Sequence, residues 1–205
     1  TREGLFYAET PSKTVYLIML SIAATLKHTS LSADAVRAYL NATSIDRNLV
    51  IVFPPDVEEF GLERVMGINK GVYGTKGGAL SWETYCDEKL VGEMKFTKCI
   101  IAQSVYVKGN GNNTLRLFRH SDDMQLSGED ENSVRKACAK ISEKIKMSTW
   151  LQATLFLGYS LEYTDECVLV RQTERILIAK ENYKHLFEKY NSKGRKRNSP
   201  LPQNA

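Results

Sequence analysis

Asp122 and Asp123 stand side by side between "LRLFRH" and "MQLSG", two runs that alternate apolar and polar residues. That alternation predicts two strands joined by a tight turn, with the carboxylates at its tip. Two readings fit such a pair. Aspartate is favoured in turns for its bonds to nearby backbone, and carboxylates are hard oxygen donors suited to magnesium. A third carboxylate, Asp34, follows "SLSA" and opens "DAVRAYLNA". Three carboxylates on separate strands can hold two divalent cations, which clamp the attacking and leaving oxygens of a phosphoryl transfer. Spacing alone does not bring Asp34 to Asp122.

Other groupings carry less chemistry. Gly71, Gly74, Gly77 and Gly78 are clustered, but the pattern is not GxxxxGK[ST] and follows no clean strand, so no P-loop is expected. The helix after them offers its N-terminus to a phosphate. His28, His120 and His185 lack ligand spacing. Cys86, Cys99, Cys138 and Cys167 form no CxxC pair, which points to reduced thiols rather than a zinc site. Trp82 and Tyr85 read as core residues rather than platforms for bases.

The elements that must position the aspartates can be read in order. Thr10-Pro11-Ser12 signals a helix start, and the following "KTVYLIMLSIAATLKHT" is apolar on more than one face, predicting a largely buried helix. "LSADAVRAYLNA" predicts a short strand entering a turn or helix. "NLVIVFPP" predicts a strand that stops at two prolines. A helix is predicted from near Ala79, carrying Trp82, Tyr85 and Leu90. Residues 98–128 read as strand, Gly/Asn turn, strand, tight turn, strand. Residues 127–147 read as an amphipathic helix capped by Ser127 or Asp130, with Val134, Cys138, Ile141 and Ile145 buried. Two strands around a Thr-Asp-Glu turn and a final helix complete an α+β layout, helices packed on one face of a mostly antiparallel sheet.

The composition suits a folded chain with a real core: 205 residues, 42% hydrophobic and 25% charged. No stretch is long and apolar enough for a transmembrane helix, and no signal-peptide cleavage pattern is present. An intracellular setting, cytoplasmic or nuclear, is therefore expected, with no membrane partner. The first residue is Thr1, which suggests an excised or processed piece. The net charge of +4 is concentrated in "YKHLFEKYNSKGRKRN", where Lys193, Arg195, Lys196 and Arg197 form a basic run. Such a run suits nucleic-acid phosphates or a nuclear-import signal, and equally a solvated tail.

Five segments in order resemble the reverse transcriptase domain of copia-type long-terminal-repeat retrotransposons, collinear from about Leu5 to Pro202. "DAVRAYLNA" is similar to the family's Asp-Ala-Phe-Leu-Asn-Gly motif. The resemblance implies that Asp34 is the first metal ligand and that Tyr39 is the aromatic gate against a ribose 2′-hydroxyl. "KGVYGTKGGALSW" resembles the Leu-Tyr-Gly-Leu-Lys-Gln…Trp signature, implying substrate contacts at Lys76 and Gly77. "LRLFRHSDDMQLSG" resembles the Tyr-Val-Asp-Asp hairpin, implying Asp122 and Asp123 as the other ligands. "LFLGYSLEY" resembles the start of the primer grip, and the stretch from Val170 to Pro202 resembles the family's closing segment.

By this resemblance, residues 1–183 form a palm with partial fingers and primer grip, and residues 184–205 a basic tail. The implied activity is RNA-directed DNA polymerisation with Mg²⁺ or Mn²⁺, acting on an RNA or DNA template-primer and a deoxynucleotide. The chain also departs from the pattern. Gly77 replaces Gln, Ala79-Leu80 replaces Pro-Arg, and His120-Ser121 replaces Tyr-Val. A serine at position 121 is expected to weaken packing on a buried strand. By the resemblance, most of the family's fingers region is expected to lie upstream of the residues matched here. The alternative expectation is thus an inert, repurposed fragment that binds nucleic acid or a protein partner.

Overall fold

The computed structural model describes residues 11–42, 50–56, 64–75, 77–164 and 166–186. Two compact units divide at Ala153/Thr154.

The first unit is built on a six-stranded antiparallel sheet. Its strands are β1 (Thr29–Asp34), β4 (Thr97–Lys98), β5 (Val105–Lys108), β6 (Leu115–His120), β7 (Asp123–Gly128) and β8 (Leu151–Gln152), in the order β4-β5-β6-β7-β1-β8. β4 to β7 form a sequential meander, and β1 pairs with both β7 and β8. A separate ribbon joins β2 (Val50–Val52) to β3 (Val65–Gly67). β2 ends just before Pro54-Pro55, which have no N–H to continue a ladder.

Strand alternation sorts the sheet into two faces. Leu31, Leu117, Met124 and Leu126 are buried against α3 (Gly78–Asp87) and α4 (Glu131–Lys144). α3 and α4 contribute Trp82, Cys86, Val134, Cys138 and Ile141 to this core. Asp130, not Ser127, caps α4, its carboxylate accepting the Ser133 N–H at 2.8 Å. α3 continues through a π-helical segment, Glu88–Glu93, that buries Leu90.

α1 (Lys13–Thr25) engages residues of the alternate face. Its Tyr16 hydroxyl donates to Gln125 at 2.9 Å, and its ring lies 5.2 Å from Phe118. Ser12 caps this helix, accepting from the Thr14 N–H. The expectation of a largely buried α1 needs correction. Tyr16, Leu20 and Ala23 form one buried stripe, while Leu17, Ile18 and Leu26 are exposed. A helix apolar all round still buries only the face that meets a partner surface.

The second unit pairs β9 (Leu155–Phe156), β10 (Tyr159–Tyr163) and β11 (Val168–Arg171) antiparallel, followed by α5 (Thr173–Asn182). Leu157 and Gly158 both take positive φ in the β9–β10 turn, as a two-residue type I′ hairpin requires. All four cysteines are free thiols, Cys86 and Cys138 buried.

Candidate active site

The ends of β1 and β7 lie side by side. Asp34 is the last residue of β1, Asp123 the first of β7, and the two are register partners. Asp122 sits in the turn between them and β6, and its carbonyl accepts the Ala35 N–H at 2.8 Å. Asp34 is clamped from the other side. Its N–H donates to the Ser148 hydroxyl at 2.9 Å, and its carbonyl accepts the Ser148 N–H at 2.7 Å. Backbone fixed on both flanks leaves little freedom in where the Asp34 side chain begins.

The carboxylates feel one another. Burial, then the charge of Asp122, holds the Asp34 carboxyl above its ordinary range. Burial raises Asp123 too, followed by the charges of Asp122 and Asp34, with His120 opposing. Repulsion of this kind is what a divalent cation relieves, so the donor set suits a hard ion in kind. Among the described residues, no group of three or more His, Cys, Asp or Glu side chains that could hold a metal ion is found.

The β6–β7 turn has two residues, Ser121 and Asp122, closed by the His120–Asp123 pair. Ser121 takes φ of +55°, the backbone of a type II′ turn, where glycine is usual. This corrects the expectation of Ser121 on a buried strand. It lies in the turn, half-buried, and its hydroxyl meets the Tyr39 hydroxyl at 3.3 Å. The Ser121 carbonyl accepts the Trp82 indole N–H at 2.7 Å.

Tyr39 belongs to the short helix α2 (Ala38–Asn41) beside the turn. Its ring centroid lies 4.1 Å from that of Tyr73. Tyr73 is 52% exposed, and burial together with the charges of Asp122, Tyr39 and Asp34 pushes its phenol pKa up. The glycine-rich segment fits closely against α2. A Cβ on Gly71 would lie 2.7 Å from the Tyr39 carbonyl oxygen. One on Gly78 would strike the Val72 carbonyl, and would lie 2.9 Å from Thr75 Oγ1 and 3.3 Å from the Tyr39 ring. Gly78→Ala is therefore expected to cost roughly 1–3 kcal/mol, since backbone must yield. A lower urea midpoint at unchanged slope would register it.

Gly77 is buried at the start of α3, its carbonyl bonded by the Ser81 N–H and hydroxyl. Lys76, and the basic Lys193, Arg195, Lys196 and Arg197, lie outside the described residues. Trp82 is a core residue as expected, but its bond to the turn was not anticipated. Ser148 and Tyr73 were also missed as neighbours of the aspartates. The only signal was Tyr73 standing in a conspicuous Tyr-Gly.

A family model described as reverse transcriptase (RNA-dependent DNA polymerase) matches residues 10–186. No curated protein matches the sequence. With this family model covering most of its length, and strands that bring Asp34 into register with Asp123, the chain belongs to the reverse transcriptase (RNA-dependent DNA polymerase) family.

Proposed function

We propose that this chain is a copia-type palm that carries out RNA-directed DNA polymerisation through Asp34, Asp122 and Asp123. The observation that carries the reading is the register pairing of Asp34 with Asp123 beside the Asp122 turn. These residues would hold two Mg²⁺ or Mn²⁺ ions, which supply charge neutralisation as a primer hydroxyl displaces pyrophosphate from a deoxynucleotide. Tyr39 stands next to the carboxylates through Ser121, where its ring excludes a ribose 2′-hydroxyl. Close packing of Gly71 and Gly78 fixes the helix that carries Tyr39. Lys76 and the basic run from Lys193 to Arg197 supply cations for phosphates of the nucleotide and template-primer.

A second reading is an inert binding factor for nucleic acid or protein on the same fold. It is favoured by Gly77 standing where the family pattern has a glutamine that would contact the nucleotide or template. Primer extension on an RNA template, with and without Mg²⁺ or Mn²⁺, separates the two. Metal-dependent extension supports the polymerase. Template binding with neither extension nor metal uptake supports the binding factor.

A further inference from the structure

The turn that carries Asp122 is held in a conformation its own sequence does not favour. A non-glycine residue at positive φ is strained, and it persists only where its surroundings impose the conformation. Ser121 at φ +55° is such a residue. What imposes the conformation is the Trp82 N–H on its carbonyl at 2.7 Å and the Tyr39 hydroxyl on its side chain at 3.3 Å.

Of these two contacts, the indole is the more rigid. Trp82 is 1% exposed, lies in the main core, and stacks on Tyr85 with centroids 5.7 Å apart and planes at 24°. Tyr85 is in turn tied to the end of α4, its hydroxyl donating to the Lys144 carbonyl at 3.1 Å. A donor fixed this way directs the Ser121 carbonyl. That carbonyl shares a rigid peptide plane with the Asp122 nitrogen. Fixing the plane restricts where the Asp122 Cα–Cβ bond points and where the Asp122 carbonyl meets the Ala35 N–H.

We propose that Trp82 is a positioning residue for the carboxylates: through the Ser121 carbonyl, its N–H holds the β6–β7 turn in the geometry that sets Asp122 and Asp123 beside Asp34. This rests on the metal-binding role of those aspartates. It extends that role to a residue of α3 that touches neither metal nor substrate.

The test replaces the donor and keeps the shape. Benzothienylalanine at position 82 has the outline of tryptophan with sulfur in place of the N–H. Trp82→Phe is the companion variant. Two quantities are measured on the full chain: amide exchange at Ala35 in the metal-free protein, and Mn²⁺ affinity by electron paramagnetic resonance. For both variants, exchange at Ala35 is expected to rise about tenfold while Val134 in α4 is unchanged, and Mn²⁺ affinity to fall about tenfold. Ala35 exchange within twofold of wild type overturns the proposal. So does a rise shared equally by Val134, which marks general loosening of the core. An unchanged Mn²⁺ affinity in a variant whose Ala35 is released also overturns it. If the wild-type chain takes up no Mn²⁺, the metal-binding reading fails, and Ala35 exchange alone decides whether Trp82 sets the turn.

Discussion

Asp122→Asn combined with Asp123→Asn is expected to lower metal-dependent primer extension by at least about a thousandfold, because the groups that would gather the cations lose their charge. The same double variant is expected to be slightly more stable than wild type when no metal is present. Asp34 and Asp123 are both held above the ordinary carboxylate range, first by burial and then by neighbouring charge. A carboxyl with a raised folded pKa contributes stability that is complete below its unfolded pKa and is lost as pH rises through the folded value. The metal-free wild type should therefore match the variant at acid pH and fall behind as pH climbs through and just above the carboxylate range. Asp34 is exposed and the others half-buried, so screening keeps the gap small, about half a kcal/mol or a rise of about 1–2 °C in Tm. Thermal scans across that pH range check the sign. A double variant less stable than wild type at neutral pH without metal would show that the aspartates do not strain the fold. Extension retained by the variant would remove them from the chemistry.

Glu83→Ala is expected to give the largest loss of stability. Glu83 is 8% exposed and lies between two cations, Lys98 at 2.8 Å and Arg119 at 3.6 Å. Arg119 is itself 5% exposed, and its Nε donates to the Tyr106 hydroxyl at 3.3 Å. The Tyr106 hydroxyl donates to Asp87 at 2.8 Å, and Asp87 also takes Lys98 at 2.7 Å. Asp87 can compensate Lys98, but Arg119 loses its carboxylate. Breaking a buried pair by deleting one partner costs about 3–5 kcal/mol, because the remaining charge stays desolvated. For a chain of this size that corresponds to a fall of roughly 10 °C in Tm. Burial pulls the Lys98 pKa down, but bonds to Asp87 and Glu83 outweigh it and the net shift is upward. The Lys98 part of this stability is thus present throughout the neutral range and fades only as pH passes above the ordinary lysine range. Urea unfolding at neutral pH measures the loss. A change under about 1 kcal/mol would mean that water or Asp87 already compensates Arg119.

Much of this architecture was legible in the sequence, where local pattern and tertiary demand agree. Alternation in "LRLFRH" and "MQLSG" marked β6 and β7, and the spacing of Val134, Cys138 and Ile141 marked the buried face of α4. Other features depend on contacts that no local pattern encodes. The register of Asp34 with Asp123 joins residues far apart in the chain, and motif resemblance suggested it where spacing could not. Ser121 was misread because a two-residue turn with positive φ is normally flagged by Gly or Asn, and here tertiary bonds hold a serine there instead. α1 was read as buried all round because hydrophobicity reports what a helix can bury, not how many neighbours it meets.

The position of β1 also bears on the order in which the three aspartates are brought side by side. The meander β4–β7 closes through short connections and can form early, setting the turn that carries Asp122 and Asp123 with little loss of chain entropy. β1 comes from much earlier in the chain and must insert between β7 and β8 before Asp34 arrives. On the proposed metal-binding role of the aspartates, cation affinity should therefore lag behind the recovery of secondary structure during refolding, marking the last long-range closure of the sheet.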